Sequence, residues 1–188
     1  PVPGLYLLAS YDQLHIYDHA RRALVGAPLV LQGDGGITSI DWDAGSGLIA
    51  AGTDKGLVVL MKLHREAEGA RLEVLDRHAP QGLGPRNDLL AVMLLDGGTK
   101  LVTVQYSPAR AQAMADGVPA LYRGLQHETV RWDLATWKRE HAYGSQLAGV
   151  HQAGFTRGED WLVLAGVAGG TAKIEGKIEL VDLRSGVS

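Results

Sequence analysis

Cysteine is absent from the 188-residue sequence. Disulfides and thiolate metal sites are therefore excluded, and the expected location is intracellular, in the cytoplasm. No run of five like charges occurs, and the formal net charge is only −3. Without a basic stripe to neutralise phosphates, no nucleic-acid partner is expected. No uninterrupted apolar stretch approaches the ~18 residues that suggest a spanning helix, so membrane insertion is not expected. Nucleophile and phosphate signatures are missing too. There is no G-x-S-x-G, and GDGG at 33–36 and GVAGG at 166–170 lack the lysine and following helix that a phosphate loop needs.

Glycine is abundant instead, at 25 residues or about 13%, against roughly 7% on average. The glycines follow no triplet period. They fall between short apolar runs, where tight turns need positive φ, and that arrangement predicts an all-β protein. Four such runs read as buried strands of about six residues. They are LYLLAS from Leu5, LIAAGT from Leu48, LVTVQY from Leu101 and WLVLAG from Trp161. Upstream of the last three stand Trp42, Leu95 and Phe155, each followed by a glycine-containing turn. Downstream of each run comes a second strand (HIYD, VLMK, VRWD, ELVD), and three of these end in aspartate, at Asp18, Asp133 and Asp182. Outer strands are expected at 24–31 and 71–76.

This order resembles the WD40 repeat: an apolar strand, a glycine turn, a small-residue strand, a tight turn bearing Asp, then a strand ending in Trp-Asp. The best copy is residues 37–62, in which Asp54 stands at the family's hairpin aspartate. Trp132 and Asp133 form the one Trp-Asp pair in the expected place, whereas Trp42-Asp43 lies on the first strand of its unit. The family's Gly-His dipeptide is absent. The resemblance implies a β-propeller arc of about four antiparallel blades, at about 4–36, 37–80, 88–147 and 148–188. With strands named a to d outward from the channel, the arc opens on a b strand and stops after a c strand. It is thus expected to be truncated at both ends of a ring of about seven blades, completed by other segments of this chain or of a partner. It also implies a network of Asp, His, Ser/Thr and Trp hydrogen bonds that no blade here can assemble whole. The structural repeat positions are Trp42, Asp54, Asp18, Trp132, Asp133, Phe155 and Asp182.

The connections that a propeller places on one face are the uneven ones. The b–c links grow from Asp12-Gln13 and 53–56 to 107–128 and 167–176, and the d–a link at 76–88 is also long. Long loops on a rigid scaffold carry binding. Within 107–128, Ser107-Pro108 reads as a helix cap, the residues 109–116 as a short helical insertion, and Gly117 as its end. Expected partner contacts on this loop face are Arg86, Arg110, Leu121, Tyr122, Arg123, His127 and Tyr143. The alternative for the insertion is that its apolar side packs down on the blades. His78, His127, His141 and His151 also fall near this face, but their separations carry no ligand spacing, so neither metal nor cofactor is expected. Asp54, Asp76, Asp88, Asp116 and Glu128 leave open the alternative of a propeller hydrolase with carboxylates or histidines near the channel. The leading expectation is a non-enzymatic, protein-binding scaffold within a multi-subunit assembly.

Overall fold

Short apolar runs become strands wherever the glycine-bearing turns interrupt them. The computed structural model describes residues 4–66, 69–80, 88–108, 126–156, 161–168 and 175–185. Among these, β1 (Leu5–Ser10), β2 (Gln13–Asp18) and β3 (Ala23–Val30) form one sheet. A second contains β4 (Ile37–Trp42), β5 (Leu48–Thr53), β6 (Val58–Glu66) and β7 (Gly69–His78). The third is made of β8 (Leu89–Leu95), β9 (Lys100–Tyr106), β10 (His127–Asp133) and β11 (Lys138–Tyr143). The fourth holds β12 (Gly149–Phe155), β13 (Trp161–Ala168) and β14 (Glu175–Asp182). Strands neighbour one another in chain order, giving four antiparallel meanders. The four apolar runs coincide with β1, β5 and the greater part of β9 and β13. The helix expected at 109–116 lies outside the described residues.

The chain divides into two compact units, Pro1–Leu101 and Val102–Ser188. In the first, strand composition reports how many faces are covered. β2 alternates, with Leu14 and Ile16 buried and their neighbours partly exposed, because one face of its sheet meets a core. From Ile49 to Thr53 β5 is continuously buried, and β6 is buried from Val58 to Met61. On one side Ile49, Ala51, Val59 and Met61 join Leu14 and Leu31 in a single cluster. On the other side the sheet meets β8, and a Cβ placed on Gly52 would come within 2.9 Å of Val92 Cγ1 and 3.1 Å of Leu89 Cβ.

Side chains of β4 also serve the backbone of β8. Ser39 Oγ accepts from Val92 N at 3.0 Å, Asp41 Oδ2 accepts from Leu94 N at 2.7 Å, and the Thr38 hydroxyl donates to the Leu89 carbonyl. Separate sheets leave strand edges whose main-chain groups need partners when covered, and these polar side chains supply them. In the second unit Val130, Trp132, Val150, Leu162, Leu164, Val181 and Leu183 are buried. There the Tyr143 hydroxyl donates to the Leu183 carbonyl at 2.8 Å. Because Gly52 lies where β5 meets β8, Gly52→Ala should overpack that contact and cost about 1–3 kcal/mol, measurable by chemical denaturation.

Candidate functional site

In the first unit the β1–β2 turn, the β3–β4 loop and the β5–β6 turn are joined by backbone hydrogen bonds into one cluster. Tyr11 O accepts from Ile37 N at 2.7 Å, and Asp12 O accepts from Leu31 N at 2.7 Å. These bonds tie the β1–β2 turn to both ends of the β3–β4 loop. That loop is tied in turn to the β5–β6 turn: Asp54 N donates to Gly36 O, and Asp54 Oδ1 accepts from Gly36 N, both at 2.9 Å. Lys55 Nζ reaches Gly33 O at 3.0 Å, and Arg77 Nε at the end of β7 pairs with Asp34 Oδ2 at 2.9 Å.

Tyr11 is the side chain this cluster displays. Its φ of 49° lies in the left-handed region, uncommon for a residue with a Cβ. Gly36 makes room for it, since a Cβ there would stand 2.9 Å from Tyr11 Cε2 and 3.1 Å from Asp54 Oδ2. The ring is thus held against the loop backbone on one side and remains 72% exposed. An aromatic fixed in this way offers contact area without much rotamer entropy to lose on binding. Two nearby carboxylates are committed, Asp54 to the Gly36 N–H and Asp34 to the Arg77 guanidinium. At the end of β7, burial lowers the His78 pKa below its ordinary value despite the opposing pull of Asp76, which favours the neutral ring.

In the second unit the corresponding connections are also tied. The Gln126 side-chain amide, just before β10, donates to the Ala148 carbonyl, and Ala148 N donates to Val167 O at 2.7 Å. The buried Glu179 carboxylate accepts from Ser145 Oγ at 2.8 Å and Gln146 N at 3.1 Å, anchoring the β11–β12 link on β14. Of the expected contact residues, Arg86, Arg110, Leu121, Tyr122 and Arg123 lie outside the described residues. His127 and Tyr143, also expected as contacts, are buried, at the start of β10 and the end of β11. The His127 ring stands edge-on to Tyr106 at 6.1 Å, and the Tyr143 ring meets His141 at 4.7 Å.

Trp42 and Phe155 are the last residues of β4 and β12, and Asp18, Asp133 and Asp182 end β2, β10 and β14. Each of those aspartates caps the turn that follows. Asp18 Oδ1 accepts from Ala20 N and Arg21 N, Asp133 Oδ1 from Thr136 N and Oγ1, and Asp182 from Arg184 N and Ser185 Oγ. Asp43 does the same after β4, receiving Ser46 N and Oγ at 2.6 Å each. Four residues after Asp18, Asp43 and Asp133 stand Arg22, Gly47 and Trp137, all at positive φ. The recurring D-x-x-[S/T] spacing at 43–46, 133–136 and 182–185 was the textual signal for these turns.

Trp132 adds a side-chain network: its Nε1 donates to Thr103 Oγ1 at 2.9 Å, and the Thr103 hydroxyl donates to Gln105 Oε1 at 2.7 Å. Beyond it, Arg139 donates to Glu128 Oε2 at 3.0 Å. No protein-family model matches this chain, and no curated protein is significantly similar to it. Among the described residues no group of three or more His, Asp or Glu side chains is placed to hold a metal ion. No helix among them is long and apolar enough to cross a membrane.

Two outcomes follow from these contacts. Trp132→Phe and Thr103→Val should each destabilise the fold by about 1 kcal/mol, and the double variant should cost less than their sum in a denaturation cycle. The Ser46 hydroxyl, with the Ser46 N–H second, holds the Asp43 carboxyl below its ordinary pKa. A depressed carboxylate contributes stability above its unfolded pKa and loses it as pH falls through the folded value. Ser46→Ala should therefore move the Asp43 titration, followed by carboxyl-carbon NMR, upward towards the ordinary value. It should also shrink the acid-side loss of stability, which is small for so exposed a group.

Proposed function

We propose that this chain is a set of WD40-like propeller blades serving as a non-catalytic, protein-interaction scaffold, with the b–c and d–a loops as its binding face. The observation that carries the reading is the Tyr11 cluster. Backbone bonds from Ile37 N to Tyr11 O and from Gly36 N to Asp54 fix that loop face, and an exposed aromatic projects from it. Aromatic residues held rigidly on such a face are favoured binding hot spots. The blade assignment is supported by the four in-order meanders. It is supported further by the Trp132–Thr103 bond, which joins a c-strand tryptophan to a b-strand threonine, residue types that belong to the family's network. Asp54 supports it in turn, reaching from its hairpin to the backbone of the preceding d–a loop at Gly36, where the family has Gly-His. The expected partner is a protein within a larger assembly.

The test is affinity capture with the immobilised chain, quantified by mass spectrometry, followed by binding measurements on each captured protein. Tyr11→Ala should weaken a loop-face partner by about 30-fold or more. Arg21→Ala, at the opposite end of the strands in the β2–β3 turn, should leave it unchanged. A partner bound equally by wild type and Tyr11→Ala would sink the loop-face reading. Turnover of a glycoside or lactone by the purified chain would replace the scaffold with the hydrolase alternative.

A further inference from the structure

Within the first unit, Gly36 is the floor of a notch whose two walls differ in chemistry. A Cβ at Gly36 would stand 2.9 Å from Tyr11 Cε2 and 3.1 Å from Asp54 Oδ2. The missing side chain thus leaves a cradle between an aromatic ring and a carboxylate. Asp54 Oδ1 accepts from Gly36 N at 2.9 Å, while Oδ2 has no donor among the described residues. The Tyr11 ring is 72% exposed. Both walls are held to the floor by backbone bonds, since Asp54 N donates to Gly36 O and Ile37 N donates to Tyr11 O.

Charge around the notch leaves a carboxylate excess. Asp12 is the neighbour of Tyr11 in the β1–β2 turn, and Asp34 lies in the same loop as Gly36. Arg77 neutralises Asp34 at 2.9 Å. Lys55 is the one Lys or Arg in the three connections, and its ammonium is drawn to Gly33 O at 3.0 Å. Asp12 and Asp54 therefore face a single cation that is already hydrogen-bonded elsewhere.

We propose that this notch takes an arginine side chain presented by a protein partner, an inference that rests on the loop-face reading and names the chemistry it recognises. A guanidinium is planar and charged, so it can lie within about 6 Å of the ring centroid while its edge donates to Asp54 Oδ2. An acidic side chain would be repelled by Asp54 and Asp12. An aliphatic one would cover Oδ2 and leave it unpaired. A lysine ammonium is a strongly hydrated point charge that cannot stack on the ring, so it fits less well.

NMR titration of the full chain with an end-blocked Gly-Gly-Arg-Gly-Gly peptide tests this, beside the same peptide carrying lysine or neutral citrulline. The arginine peptide should shift the Tyr11 ring and Gly36 amide signals saturably. The citrulline peptide should bind about 10-fold more weakly, and the lysine peptide should fall between the two. Asp54→Asn keeps an acceptor for Gly36 N but removes the charge, and it should weaken the arginine peptide about fivefold. Tyr11→Leu, which removes the ring and keeps apolar bulk, should weaken it to a similar degree, with circular dichroism confirming that both variants fold. No saturable shift, citrulline or lysine bound as tightly as arginine, or a folded Asp54→Asn that binds like wild type would overturn the proposal. A captured partner weakened by Tyr11→Ala but indifferent to Asp54→Asn would also overturn it, while leaving the loop-face reading in place.

Discussion

The constraint on which the first unit depends is that its sheets are separate, so no hydrogen-bond ladder runs from one to the next. Cohesion must come from side chains packed face to face, and covered strand edges must find partners elsewhere. The first requirement explains the β5 and β6 composition, in which consecutive small and aliphatic residues fill two opposed cores. The second explains why β4, in the middle of an apolar stack, carries Thr38, Ser39 and Asp41. Those residues give the neighbouring strand β8 the donor and the two acceptors that its edge lacks. Polar residues on an inner strand thus act as structural joints rather than as defects in the core.

The two ends of the strands are built differently. At one end, the turns after β2, β4, β10 and β14 are short and self-contained, each closed by an aspartate that satisfies the next few backbone N–H groups. Such turns spend their polar groups internally and leave little to offer a partner. At the other end of the first unit the connections bind to one another, as Tyr11 to Ile37 and Gly36 to Asp54. Backbone bonds are reinforced there by the side chains of Asp54 and Lys55 and by the Asp34–Arg77 pair, and Tyr11 is the side chain that faces outward. That asymmetry is why a binding role is sought on the loop end.

Much of this was legible in the residues. Alternation and short apolar runs located β1, β2, β5 and β13 nearly to the residue, because a strand with one or two covered faces has few compositional alternatives. The equivalence of Asp18, Asp133 and Asp182 was also visible, since each ends its strand and must cap the turn after it. His127 and Tyr143, expected as contacts from their proximity to loops, are buried, because such proximity says nothing about which side of the pleat a residue takes. Tyr11 was passed over for a related reason. Its prominence rests on a backbone conformation and on the absence of a Cβ at Gly36, twenty-five positions away in sequence.

The sequence by itself determined the all-β class, the meander order and the turn chemistry. These depend on local quantities: side-chain periodicity, glycine at turns, and an aspartate within reach of its own following amides. Only the tertiary structure decided which polar side chains would serve a neighbouring sheet and which aromatics would be interior. Those outcomes depend on contacts between residues dozens of positions apart, such as Asp41 with Leu94 or Tyr143 with Leu183. Nothing in a local pattern encodes such partners.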